Sequence, residues 1–396
     1  MEVLENQNII CIAPNPWTDL WRRRQQLMSR FARNGRVLYI EPQRSLLTPF
    51  LYRHTSGWDL DFRFGLRQES DNLYVYSPLS PLPFSDIPLF DRINNAFTPA
   101  AIQRVVRRLE MKQPILWLYY TAKTAVNVKA VRQVVSPRLI CYDCYDYYAG
   151  YAYVSPRERP HILAEERELV QMADVVFVVS EQLYADKSPL NANTFLVSNG
   201  VDIELYERDG PIPEDVALIP HPIVGFTGKI AGNKIDIGLI RYLVESRPEW
   251  SVVLVGPIFP DLQRVIAGWP KYANLYMLGQ KPPWGLPTYL RAFDVCIAPY
   301  LDNEQLRYVS VPLKIYEYLA AGKPIVATGF SPAPFLSDLV RLSSSPEEFV
   351  THIEGCLREN DEALARQRIE VARHNSWDRR VEQIEKILAS LSLEWA

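Results

Sequence analysis

Short apolar runs recur along the chain, separated by stretches whose apolar positions fall three and four apart. The first run, residues 8–13, ends at Pro14-Asn15-Pro16-Trp17-Thr18-Asp19. Thr18 or Asp19 can cap a helix over 20–34 that turns Leu20, Leu27 and Phe31 inward. Gly35 ends that helix and 37–40 is the next strand, a βαβ unit that starts a parallel sheet. Further strands are expected at 73–76, 115–119, 139–142, 175–179 and 195–197, with helices at 99–111, 125–135 and 157–172. The Pro-rich stretch 77–88 reads as a loop or lid.

After a linker at 208–215 the pattern starts again. Strands are expected at 222–227, 250–255, 275–278 and 295–298, with a Gly-bearing basic loop, 228–234, before a helix from about 236. Ser345-Pro346-Glu347-Glu348 fits a capping box for a helix to about 358, and a last helix runs from about 376 to 393. Two doubly wound α/β domains are therefore expected: 1–205, 206–375, and a terminal helix over 376–396.

The most informative stretch is 310–328, a loop, a short helix and a buried strand. Pro312 suits a helix start, Gly322 a left-handed C-terminal cap, and Pro324 forbids continuation. Leu313, Tyr316, Leu319 and Ala320 form an apolar stripe, while Lys314 and Glu317 share another face. A lysine in the first turn faces the positive end of the helix dipole and costs about 0.3–1 kcal/mol unless an anion binds there. Glu317, one turn deeper, would then accept hydrogen bonds from a diol attached to that anion. Phosphate beside ribose has this layout. The plainer reading is an i,i+3 ion pair on a solvated helix, in the less favourable acid-after-base order.

Composition narrows the classes. A net charge of −3 over 396 residues argues against nucleic acid as a partner, and no run of eighteen apolar residues offers a membrane span. The start Met1-Glu2-Val3-Leu4-Glu5 is acidic where a signal peptide is basic, so a cytoplasmic protein is expected. Cys141-Tyr-Asp-Cys144 has no second pair, so strand-end packing is the expected role of these thiols and no metal ligand set is assigned. No G-x-G-x-x-G follows the first strand, which disfavours a dehydrogenase.

Loops after strand ends in the first half carry Trp17, Tyr120, Lys123, Asp143, Asp146, Tyr147, Tyr148 and Ser180. Rings stack on sugar faces and acids accept hydroxyl protons, so Trp17 and Asp143 are expected to bind a saccharide acceptor and Asp146 to serve as its base. Packing accounts for most tyrosines of 142–153. Arg22, Arg23, Arg24, Arg30 and Arg33 beside Trp21 form either a solvated helix face or a basic surface for peripheral contact with anionic lipid.

The run from Pro312 through Lys314, Glu317 and Gly322 to Pro324 resembles the signature of GT-B-fold nucleotide-sugar glycosyltransferases of the group one kind. Ala173-Asp174 with Ser180, and Asn199-Gly200-Val201-Asp202, are similar to the segments that close that family's first domain. The resemblance implies two Rossmann-like domains facing across a cleft, the C-terminal helix crossing back. The first would bind the acceptor and the second a nucleotide diphosphate sugar. It assigns Glu317 to the ribose and the Ser310–Pro312 helix end, with Val311, Leu313 and Lys314, to the diphosphate, joined by Lys229 and Lys234, two lysines where the family shows arginine and lysine. Gly228, Gly256, Gln280, Lys281 and Tyr300 would line the nucleotide. Where retaining relatives carry a second glutamate this chain has Val309, with Asp302 and Glu304 the nearest acids. The expected reaction is metal-independent and cofactor-free transfer of a hexose to a growing exopolysaccharide or envelope polysaccharide, UDP-glucose being the single guess for donor. A non-catalytic nucleotide-sugar-binding subunit and a sugar-nucleotide epimerase stay open as alternatives.

Overall fold

The structure, a computed structural model, describes residues 4–19, 21–45, 64–82, 87–120, 128–151, 154–269, 272–308, 311–330, 334–359 and 361–392. The chain forms two compact units. One comprises Met1–Tyr145, Val154–Val197 and Val381–Ala396; the other Asp146–Tyr153 and Ser198–Arg380.

The first unit is built on β1 (Asn8–Ile12), β2 (Arg36–Ile40), β4 (Gly65–Ser70), β5 (Leu73–Ser77), β7 (Ile115–Leu118), β8 (Leu139–Cys144), β9 (Val175–Val178) and β10 (Thr194–Leu196). They lie in the order β10-β9-β8-β7-β1-β2-β5-β4, and a separate two-stranded pair joins β3 (Arg44–Ser45) to β6 (Leu79–Ser80). The central strands are covered on both faces, which is why they read as unbroken apolar runs rather than alternations. β4 was invisible to the periodicity because its residues Gly65-Leu66-Arg67-Gln68-Glu69-Ser70 form a polar antiparallel edge against β5.

Two boundaries in this unit differ from expectation for a physical reason. The helix expected over 99–111 is Pro88–Arg108, with Pro99 in its interior. Just before it the buried Thr98 hydroxyl lies 2.7 Å from Gln43 Oε1 and 3.0 Å from the Asn94 carbonyl. β8 runs on to Cys144, two residues past the expected end, so Asp143 is strand rather than loop. Cys144 packs in the interior with its Sγ 3.2 Å from a Glu166 oxygen, and burial raises its thiol pKa.

The second unit has a six-stranded parallel sheet in the order β13-β12-β11-β14-β15-β16. Its strands are β11 (Ile223–Thr227), β12 (Ser251–Val255), β13 (Leu275–Gly279), β14 (Val295–Pro299), β15 (Ile325–Thr328) and β16 (Val340–Leu342). The expected break at 205/206 falls instead between Val197 and Ser198. The reason is a bridge from Val201 to Ser376, with Val201 N–H donating to the Asn375 carbonyl at 3.1 Å and Trp377 N–H to the Val201 carbonyl at 3.0 Å. The last helix, Trp377–Ser392, is counted with the first unit from Val381 onward, not from 376. No described helix is long and apolar enough to cross a membrane.

Candidate functional site

In the second sheet β11 and β14 are neighbours whose onward connections run to opposite edges. An open α/β sheet binds its ligand outside the carboxyl ends of its strands at such a switch point. Three features converge there: the loop after β11, the loop after β12, and the helix Leu313–Ala320 between β14 and β15.

The two loops touch through bare backbone. Gly228 and Gly256 have φ of +131° and +150°, a region L side chains avoid. A Cβ on Gly256 would stand 1.9 Å from the Gly228 carbonyl oxygen. A Cβ on Gly228 would stand 1.9 Å from Cε and 2.1 Å from Nζ of Lys314. The two glycines therefore make the space in which the Lys314 ammonium lies, and its Nζ also sits 5.6 Å from the centre of the Phe226 ring. The basic loop is held on both sides. Ile230 N–H donates to the Pro257 carbonyl at 3.0 Å, and Leu301 N–H to the Lys234 carbonyl at 2.9 Å. Lys229 Nζ stands 5.0 Å from the centre of the Phe259 ring.

The helix is buried against the sheet by Ile315, Tyr316, Tyr318, Leu319 and Ala320, while Leu313, Lys314 and Glu317 are only half-buried. The expected stripe thus gains Ile315 and Tyr318 and loses Leu313, because the helix is covered by the sheet and by the helix Glu362–His374. Gly322, at φ +67°, closes it: its N–H donates to the Leu319 carbonyl at 2.9 Å and Lys323 N–H to the Tyr318 carbonyl at 3.1 Å. Tyr318 is the residue sequence reasoning missed. Its hydroxyl accepts from Thr227 N–H at 3.0 Å and donates to the Ile297 carbonyl at 3.3 Å, tying the end of β11 to β14 directly beneath Gly228. Within an apolar stripe a tyrosine gives no sign that its hydroxyl has a target.

Glu317 lies one turn beyond Lys314, and no described side chain donates a hydrogen bond to its carboxylate. Burial raises its pKa above the usual carboxylate range, opposed only in part by Lys314. Burial likewise raises the phenols of Tyr206 and Tyr300, with the Glu317 charge adding to both. A half-buried carboxylate with open acceptor capacity, a turn below a lysine at a helix N-terminus, is a place for a diol next to an anion.

The remaining expected positions fall as follows. Val311 is buried at the start of this helix, and Ser310 and Val309 lie outside the described residues. Gln280 is exposed just after β13. Lys281 is engaged elsewhere, its Nζ 2.6 Å from Asp215 Oδ2 and 5.3 Å from the Tyr289 ring centre. Asp302 forms a bidentate pair with Arg307 at 3.0 and 3.1 Å. Beside Tyr300, a cavity of about 600 Å³ opens at the ends of β14, β15 and β16, lined by Thr328, Gly329, Ser343 and Ser345 among others.

The acceptor-side expectations need correction. Asp143 is fully buried and both its oxygens accept from Arg23 Nε at 2.9 Å. Trp17 is 6% exposed, packed edge-on to Tyr39 at 5.1 Å, its backbone N–H donating to Glu41 Oε1 at 2.8 Å. Both are framework of the first unit. Asp146 belongs to the second unit, where its carboxylate accepts from Tyr147 N–H at 2.9 Å, Gln305 Nε2 at 3.1 Å and the Tyr151 hydroxyl. Tyr120 donates to Glu165, Ser180 caps the helix Glu181–Lys187, and Lys123 lies outside the described residues. Of the basic face expected to meet lipid, Arg23, Arg24 and Arg30 are turned inward, 1%, 0% and 6% exposed, while Arg33 and Trp21 are exposed. The helix, Arg23–Asn34, presents the inward arginines to Asp143, Tyr145 and Gln26, not to a surface.

Two α/β units of this kind match the GT-B fold. The chain superposes on sucrose-phosphate synthase from Thermosynechococcus elongatus with a TM-score of 0.70 at 16% identity, covering 98% of this chain and 100% of that one. Anabaena HepE, solved in complex with UDP and glucose, gives 0.67 at 16% identity over 97% and 100%. Residues 221–370 match the family model of glycosyl transferases group 1. A chain of Bacillus subtilis (strain 168) assigned by name to teichuronic acid biosynthesis, the glycosyltransferase TuaH, is 29% identical over 266 residues. That match takes in 62% of this chain and 66% of the relative.

Proposed function

We propose that the protein transfers a hexose from a nucleotide diphosphate sugar, with UDP-glucose the first donor to try, to a hydroxyl of a growing envelope or exopolysaccharide. The observation that carries this reading is the Lys314 ammonium lodged against Gly228, one helical turn from the open Glu317 carboxylate. Glu317 would hold the ribose diol. The helix N–H groups, with Lys229, Lys234 and Lys314, would take the diphosphate.

As the bond from the sugar to the diphosphate breaks, negative charge grows on the leaving oxygens. Preorganised cations and helix dipoles aimed at that charge stabilise the transition state more than the ground state. In this reading the lysines supply what a divalent cation would otherwise supply. Lysine serves as a point charge, so it tolerates movement of the phosphate during departure better than it fixes its orientation. Support for UDP comes from HepE, solved with UDP-glucose on the same fold, and for a polysaccharide acceptor from the relative named for teichuronic acid biosynthesis.

Calorimetry with UDP and UDP-glucose, alongside UDP-glucose turnover in wild type, Lys314→Ala and Glu317→Ala, tests the reading. Uptake by the wild type, lost in both variants together with turnover, is expected. Uptake without turnover would make the protein a binding subunit, and conversion of the donor to an isomer would make it an epimerase.

A further inference from the structure

The segment Asp146–Tyr153 follows a strand of the first unit but is counted with the second, and the donor reading has no use for it. Its described contacts fall on the two loops that flank the basic residues of the site. The Tyr147 ring stacks on Tyr308, centres 3.9 Å apart and planes 10° from parallel. The Tyr151 ring lies under Lys234, with Nζ 5.9 Å from its centre. Asp146 joins these pieces: Oδ1 accepts from Tyr147 N–H and Gln305 Nε2, and Oδ2 from the Tyr151 hydroxyl. The loops are cross-linked in turn, Asn303 Nδ2 donating to the Asn233 carbonyl at 2.8 Å and Leu301 N–H to that of Lys234 at 2.9 Å.

We propose that Asp146, Tyr147 and Tyr151 form a strap that positions Lys234 and the 301–308 loop for the diphosphate, resting on the donor reading above. Asp146 is then a positioning residue and not the acceptor's base. A base must meet the proton it takes, whereas both Asp146 oxygens are already occupied by donors that hold the strap together. The physical advantage lies in Lys234. A lysine stem carries considerable rotamer freedom, and a ring face that attracts its ammonium removes part of that freedom before the ligand arrives.

The test uses the full chain with Asp146→Ala, Asp146→Asn, Tyr151→Leu and Tyr151→Phe. Three quantities are read: UDP affinity by calorimetry, KM and kcat for UDP-glucose turnover, and ligand-free hydrogen exchange of amides 229–236 and 301–308. Asp146→Ala and Tyr151→Leu should weaken UDP about three- to tenfold, raise KM by a similar factor with little change in kcat, and speed exchange in both loops about tenfold. Asp146→Asn keeps an oxygen that accepts, and Tyr151→Phe keeps the ring, so both should stay within about threefold of wild type in UDP affinity. If Asp146→Asn abolishes turnover while UDP affinity holds, Asp146 is the base and the proposal fails. If wild type binds UDP but Asp146→Ala leaves exchange unchanged, the strap alone fails. If wild type takes up no UDP, the donor reading falls and the strap's role falls with it.

Discussion

Replacing Glu317 by Gln should move stability and ligand affinity in opposite directions. Burial raises the Glu317 pKa, so the folded protein holds an ionised carboxylate at a net cost that Lys314 does not cancel. Below the ordinary carboxylate range both folded and unfolded chains are protonated and nothing is lost. As pH rises through that range the unfolded chain ionises first, so stability falls until the folded carboxyl has ionised too, and the deficit is constant above. Gln keeps the shape and removes the charge. The gain near neutral pH should read as a higher Tm, each 1 kcal/mol corresponding to about 2–4 °C for a body of this size. The same change weakens the hold on a diol. Hydrogen bonds to a charged acceptor contribute about 1.5–3 kcal/mol, so the Kd for UDP should rise about ten- to hundredfold. Thermal melts at pH 4 and pH 8 and calorimetry with UDP read both. The stabilisation should be present at pH 8 and absent at pH 4. A variant that melts earlier at pH 8, or binds UDP as tightly as wild type, would refute the reasoning.

Other outcomes follow from the same geometry. Gly228→Ala places a methyl 1.9 Å from Lys314 Cε at a φ of +131°. It should cost about 1–3 kcal/mol in backbone strain and displace the ammonium, seen as a lower melting temperature and weaker UDP uptake. Tyr318→Phe strips partners from the Thr227 N–H and the Ile297 carbonyl, so chemical denaturation should show a loss of about 1–3 kcal/mol. Asp143→Ala leaves Arg23 buried without its carboxylate and should destabilise the first unit by about 3–5 kcal/mol by circular dichroism melts. A variant that folded normally and lost only acceptor affinity would return Asp143 to the acceptor site.

The helix with Lys314 and Glu317, its Gly322 cap and the parallel strands beside it could be read from the chain because each rests on local chemistry: a period, a turn residue, a dipole. What the one-dimensional pattern did not contain was direction. Arg23 and Arg24 look like a solvated or lipid-facing charge run, yet one partner, Asp143, stands 120 residues away and draws Arg23 inward. Asp146 looks like an acid at a loop end until the fold sets Gln305 against it. Tyr318 looks like one more apolar position on its stripe.

Sequence alone determined most of the parallel strands, the repeat of the α/β pattern in two halves, and the short helix that carries Lys314 and Glu317. Tertiary structure decided which charged groups are spent on one another in the interior. The reason is energetic. A charge taken out of water must find an opposite charge or several hydrogen-bond donors, and those partners come from strands and loops brought together only when the chain folds.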